Sequence, residues 1–246
     1  MLPDPQWSCG LSLAHGWWRF WVVTGEFWLS VTLIIVEAAG RRCLMGKVVS
    51  HMMMSLDGFV ADPDDGVAEL FGWYDAGPVT VPSADGRWSF KVDERSAQML
   101  RQALATTGAL VCGRRLFDHT NGWQDSHPVG APVVVVTHHP PRDAGKWKTI
   151  TFADSVETGI AEAKQIAGDK DVSIASADIA AQALDLGLVD EVIISLVPVL
   201  IGKGIPYFAN LARAPHRFDD PVIIPGSRVT HLRYAVRRTA AQRDGS

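Results

Sequence analysis

From residue 47 onward, short apolar runs with the length of buried strands alternate with stretches of helical period, and this alternation narrows the available folds most. The runs are "KVVSHMMMS" (47–55), "ALVCG" (109–113), "PVVVVT" (132–137), a short run at 148–152, then 171–175 and 189–197. Between them, residues 93–105 place Ala97, Leu100 and Leu104 on one helical face. Asp154 and Glu157 have capping-box spacing ahead of the stripe Val156, Ile160, Ala163 and Ala167, and Gly187 closes a helix over 177–186 as a left-handed cap. Strands at 216–224 and 228–237 follow with no helix between. Strand-helix alternation with a strand-rich end predicts an α/β fold: a mixed, mostly parallel sheet flanked by helices, with antiparallel strands at the C-terminal end.

Asp57-Gly58 closes the first strand, where Gly takes the positive φ of a tight turn. Residues 61–89 carry Gly, Pro, Asp and aromatic residues with no sustained period. They read as a long loop of the kind that covers or binds a ligand.

The first 44 residues have a different texture. Trp7, Trp17, Trp18, Trp21 and Trp28 crowd into them, against nine tryptophans in the whole chain. Their uncharged run, Phe27 to Val36, falls short of the ~20 apolar residues of a spanning helix. Extending it to Trp17 includes Arg19 and Glu26, and Asp4 is the only charge before Leu11, so neither an anchor nor a signal segment fits well. "GRRCLMGKVV" can be encoded with a purine-rich ribosome-binding site just upstream of Met45. The expectation is an N-terminal extension over 1–44, upstream of the translated start or disordered, and a working domain over 45–246, cytoplasmic and without a membrane partner.

A net charge of −4 and the absence of a basic run give no footprint for nucleic acid. Cys9, Cys43 and Cys112 are odd in number and far apart, and the eight histidines show no metal-ligand spacing. No metal site is expected, and a reducing compartment follows. No Ser-His-Asp or Cys-His pattern stands in a motif context, which argues against hydrolysis.

In an open α/β sheet, ligands lie beyond the carboxyl ends of the strands, near helix N-termini that attract anions. Three strand ends carry suitable residues: Gly113-Arg114-Arg115, Thr137-His138-His139, and Ala175-Ser176-Ala177-Asp178. Singly, each has a plainer explanation: a solvated turn, a strand end, or an N-cap at Ser176 or Asp178. At one sheet edge they would suit a phosphate-bearing ligand, and no Walker lysine signature makes it a nucleoside triphosphate. Gly202-x-Gly204 precedes Ile205-Pro206 rather than a helix, so it reads as a turn and not as a dinucleotide fingerprint.

The segments "SLDGFVA" (55–61), "ALVCGRR" (109–115), "PVVVVTHH" (132–139) and "AAQALDLGLVDEVIISLVPVLIGKGIPYF" (180–208) resemble the dihydrofolate reductase-like family. Within it they are most similar to the branch related to the reductase domain of the bifunctional riboflavin-biosynthesis deaminase-reductase. The resemblance implies NADPH as cofactor, without a flavin. It places Gly113, Arg114 and Arg115 at its phosphates, Thr137 and His138 beside the adenosine 2'-phosphate, and Ser176, Ala177, Asp178 and Ile179 where the pyrophosphate meets a helix. The chain departs from the family at Leu116, where Thr is usual, and at Ser176-Ala177, where a Gly pair is usual. Ala175 replaces an acidic residue of the riboflavin enzymes, and no zinc deaminase segment precedes the reductase.

Reduction also needs a proton source and a surface for the substrate. Asp57 is the candidate acid, with a turn-stabilising role equally open. Asp93 and Glu94 open the first helix near the family's pterin-binding carboxylate, and helix-dipole complementation is the favoured reading for both. Phe71, Trp73 and Trp88 are candidates to stack on a flat heterocycle, or else they pin their loop to the core. The expectation is an NADPH-dependent, flavin-independent reductase of a small heterocycle, pterin- or pyrimidine-like, acting as a homodimer. A nucleotide-binding or sensing protein without catalysis is the alternative.

Overall fold

The computed structural model describes residues 46–237, together with residues 13, 14, 17 and 18. The chain divides into two units, Met1–Cys43 and Leu44–Ser246. In the first, Leu13–Ala14 and Trp17–Trp18 pair as antiparallel strands. The remaining expectations for residues 1–44 fall outside the described residues.

The second unit is built on an eight-stranded sheet. Its strands are β1 (Val48–Ser55), β5 (Thr107–Gly113), β6 (Val133–Val136), β7 (Ile150–Ala153), β8 (Asp171–Ile174), β9 (Glu191–Val197), β11 (Val222–Gly226) and β12 (Val229–Ala235). Small accessory strands are β2 (Phe59–Ala61), β3 (Val79–Pro82), β4 (Ser89–Val92) and β10 (Ile205–Pro206). Helices are α1 (Ala68–Phe71), α2 (Glu94–Thr106), α3 (Arg114–His119), α4 (Val156–Ala167) and α5 (Ala177–Asp185). The sheet order is β11-β12-β9-β1-β8-β5-β6-β7. From β9 to β7 every pairing is parallel, and β12 and β11 add antiparallel at the far edge. This is the mixed sheet expected from the sequence.

The central strands are apolar throughout because both faces are covered. Ala109, Leu110, Val111 and Cys112 are all buried, as are Val133, Val134 and Val135. On one face α4 and α5 pack Ile160, Ala163, Ile179 and Leu184 against Val111, Val134 and Ile174. On the other, α2 lies over Val197 and Val229, and Phe117 of α3 joins Leu110, Cys112 and Val135.

Local signals act where the sequence placed them, with three adjustments, the first being that the strand expected over 216–224 runs Val222–Gly226. Gly58 has φ +91° at the end of β1. Gly187, at φ +71°, donates to Leu184 O while Leu188 N donates to Ala183 O, the paired bonds that terminate α5. The capping box of α4 sits one residue later than expected. Ser155 is the extended N-cap and exchanges bonds with Thr158, while Asp154 accepts from the Thr158 hydroxyl. The segment 61–89 is not a long loop. It holds α1, a single 3-10 turn at Gly72–Tyr74 and β3, which pairs with β4 just beyond it in a hairpin whose short strands have too few residues to show a period.

Candidate functional site

The strand order places β8, β5 and β6 side by side and parallel, so their carboxyl ends form one continuous rim. These are the strands that end in Ala175-Ser176, Gly113-Arg114-Arg115 and Thr137-His138. The residues singled out in sequence are therefore neighbours in space, although more than sixty positions separate Gly113 from Ser176.

Ser176 does not cap α5. Its hydroxyl accepts the Gly113 N–H at 2.9 Å, tying the end of β5 to the end of β8. Asp178 does not cap the helix either; it accepts from Gln182 one turn on. The first turn of α5 is left without a side-chain cap, so its N–H groups remain available to an anion. Ile179 is buried and lies against Gly113, where a Cβ would meet its side chain at 3.6 Å. An alanine would fit that space, so Gly113 is not demanded by crowding.

Both arginines already hold carboxylates. Arg114 Nε donates to the two Asp118 oxygens at 2.8 and 2.9 Å, and its guanidinium also donates to the His139 carbonyl. Arg115 Nε lies 2.8 and 3.0 Å from the two oxygens of Asp65, fifty residues earlier. At the third strand end, the Thr137 hydroxyl accepts the His139 N–H at 3.2 Å, and His138 is exposed. Leu116 turns into the apolar cluster around Phe117.

Asp57 takes the turn-stabilising role: it accepts from the Ser55 hydroxyl at 2.6 Å and from the backbone N–H groups of Ile201 and Gly202 at 3.1 and 2.6 Å. The Ser55 hydroxyl and those two N–H groups hold its carboxyl below the usual range. Gly202, with φ +80°, belongs to the turn this clamp holds. Asp93 caps α2, accepting from Arg95 N and Ser96 N. Trp73 is 1% exposed and packs between Tyr74 and His231 in the core, so it presents no face to a ligand. Phe71 and Trp88 are exposed at 40% and 59%.

One chain of polar groups through the core has no local signature in the residues. Ser96 Oγ donates to Asp93 Oδ2 at 2.7 Å and meets His231 Nε2 at 3.1 Å; Ser195 Oγ meets His231 Nδ1 and His51 Nε2, both at 2.9 Å. An ionised Asp93 only accepts, so Ser96 must donate to it and receive from His231 Nε2–H. His231 Nδ1 then accepts from Ser195, which accepts from His51 Nε2–H. Ser96 and Ser195 are fully buried, so this is a structural network and not a hydrolytic triad. A cavity of about 150 Å³ lies at the amino ends of β1, β5 and β8, walled in part by His51, Thr106, Glu191 and Arg233. It is remote from the rim, and Glu191 pairs both of its cations, Lys47 and Arg233. Among the described residues no cluster of His, Cys, Asp or Glu is arranged to hold a metal ion, and no helix is long and apolar enough to cross a membrane.

Sheet order and rim together define a dihydrofolate reductase-like α/β protein. Residues 46–214 match the model of the RibD C-terminal domain, and the chain belongs to that family. Three solved structures share the fold. A protein described as a riboflavin biosynthesis protein of Shewanella sp. PV-4 is 20% identical over 78% of this chain and 99% of its own, with a TM-score of 0.56. The Thermotoga maritima diaminohydroxyphosphoribosylaminopyrimidine deaminase/5-amino-6-(5-phosphoribosylamino)uracil reductase is 14% identical over 78% of this chain and 57% of its own, with a TM-score of 0.50. Dihydrofolate reductase from Enterococcus faecalis, complexed with NADP(H) and RAB-propyl, is 11% identical over 79% of this chain and 98% of its own, at 0.51. No curated protein matches the chain.

Proposed function

We propose that this chain is a flavin-independent reductase that takes NADPH at the rim formed by β8, β5 and β6 and reduces a small heterocycle of pterin or pyrimidine type. The observation that carries the reading is the uncapped first turn of α5, held beside Gly113 by the Ser176 hydroxyl, with Arg114 and Arg115 on the next strand end.

Backbone N–H groups at a helix start and guanidinium groups are the donors a pyrophosphate and a 2'-phosphate require. On that ground the residues present fit the cofactor. The N–H groups of Ala177, Asp178 and Ile179 would hold pyrophosphate, and Arg115, Thr137 and His138 would face the adenosine end. Bound there, NADPH supplies a hydride. The chain's own part is to orient the nicotinamide and to exclude water. Ser176-Ala177 in place of a Gly pair leaves the hydroxyl of Ser176 to position Gly113, a tie that glycine could not make. Exposed Phe71 and Trp88 are the aromatic surfaces left for a flat substrate, since Trp73 is committed to the core.

The test is a fluorescence or calorimetric titration of the protein with NADPH and NADH, repeated on Arg114→Ala/Arg115→Ala. NADPH binding that is lost in the double variant is expected. Failure of the unmodified protein to bind either nucleotide would remove the reductase reading and leave the fold without an assigned ligand.

A further inference from the structure

Asp65 stands where the proposed ligand needs a cation. Both of its oxygens are within 3.0 Å of Arg115 Nε. Its side chain is 26% exposed against 65% for the arginine, so the carboxylate is the better sheltered partner.

The path of the chain gives the pair its meaning. Asp65 lies on the segment that leaves β1 through β2, and Arg115 lies on the helix that leaves β5. In the sheet β8 runs between β1 and β5, and its end leads into the uncapped start of α5. The ion pair therefore ties together the chain leaving the two strands that flank the candidate phosphate site. Arg114 has its own partner in Asp118, four residues along the same helix, so Asp65 is not needed to neutralise it.

The segment bearing Asp65 is built to hold that carboxylate in place. Asp62 accepts from the N–H groups of Asp64 and Gly66 at 2.8 and 2.7 Å, and Asp62 N–H donates to Gly66 O. Asp65 sits at the crest with φ +65°, in the left-handed region that most side chains avoid. The turn would need no side chain at that position to form, and glycine would suit its backbone better.

We infer that Asp65 is a latch residue: its carboxylate holds the Arg115 Nε–H, and a phosphate of the incoming nucleotide must compete with it for that donor. The inference rests on the NADPH reading above and adds the residue that sets how tightly phosphate is taken. Both Asp65 oxygens lie on Arg115 Nε, and a bidentate phosphate fork would use that same N–H, so the two anions compete for it. Because the pair is exposed, its displacement costs little, and the latch tunes affinity without abolishing it.

Asp65→Asn tests this cleanly. It removes the charge, and asparagine tolerates the left-handed backbone, so the turn survives. NADPH and NADH are titrated into the full chain carrying Asp65→Asn, Arg115→Ala, both changes, or neither. The expected result is NADPH binding about 2- to 5-fold tighter in Asp65→Asn, the span set by the worth of an exposed ion pair, and no such gain when Arg115 is already alanine. Unchanged or weaker NADPH binding in Asp65→Asn, in a protein that otherwise binds it, overturns the latch and makes Asp65 a support for Arg115. If neither form binds either nucleotide, the reductase reading falls and the latch falls with it.

Discussion

The Gly113 N–H donates to the Ser176 hydroxyl at 2.9 Å, joining the ends of two adjacent parallel strands. A serine that would ordinarily cap its helix is thereby diverted to the neighbouring strand. Ser176→Ala should leave that N–H without its partner and lower stability by about 1 kcal/mol, read as a shift in the urea midpoint. If Ser176 contributed only as a helix cap, Ser176→Asp would be as stable as the unmodified protein; the observed bond predicts that it is not.

Trp73 is a core residue, whereas Trp88 is a surface one. Trp73→Ala should cost roughly 3–5 kcal/mol by leaving a cavity against Leu70, Val81 and Val229, and Trp88→Ala should change stability little. Trp73→Phe should cost less than alanine, since Trp73 Nε1 is buried without a hydrogen-bond partner and its loss forfeits no bond. Denaturant titration of the three variants checks the order.

Burial pushes His51, His127 and His231 down to about 4, reinforced at His51 by the charges of His231 and Arg233 and opposed there by Glu191. Asp85 opposes the shift at His127, where Arg87 adds to it, and Asp93 opposes it at His231. A histidine with a depressed folded pKa binds fewer protons folded than unfolded. Its contribution is therefore intact above the unfolded value near 6.5 and is lost as pH falls from there to about 4. Protonating His231 would also deprive the Ser195 hydroxyl of its acceptor, Nδ1. Urea midpoints measured between pH 7.5 and 4 should fall across that window, and a flat profile would contradict the buried neutral network.

Asp57 holds the turn after β9 through Ile201 N–H and Gly202 N–H. Asp57→Ala should loosen residues 198–204 and raise their cleavage in limited proteolysis. The change should not remove a proton donor, so any reductase activity would keep its pH profile while losing overall rate through the displaced turn.

Among the described residues β11 is an edge strand of the sheet, and it presents Val222 and Ile223 at 60% and 59% exposure. An unpaired apolar edge is a template for another strand, and the homodimer proposed from the sequence would run along it. Val222→Lys/Ile223→Lys should shift the protein to the monomer in analytical ultracentrifugation. A monomer before any substitution would end that proposal.

The order of elements was legible in the residues because periodicity and turn chemistry are local. Apolar runs such as Val133 to Val136, and the stop at Gly187, act over a few positions whatever the rest of the chain does. The short helix α3 and its Arg114–Asp118 pair were not read from the residues, since six residues are too few to show a helical period. The β3-β4 hairpin was not either, because four-residue strands are too short to carry a period and take their shape from packing on α2.

By itself, then, the sequence determined the main strands and longer helices, the mostly parallel character of the sheet and which residues end its strands, among them Gly113, Arg114, Arg115 and Ser176. Only the tertiary structure decided what those residues hold. Asp65 reaches Arg115, Ser176 turns to Gly113, Asp57 clamps a loop and Trp73 enters the core. Each partner comes from a distant segment that the sheet order brings alongside, and a side chain's role depends on that neighbour as much as on its own chemistry.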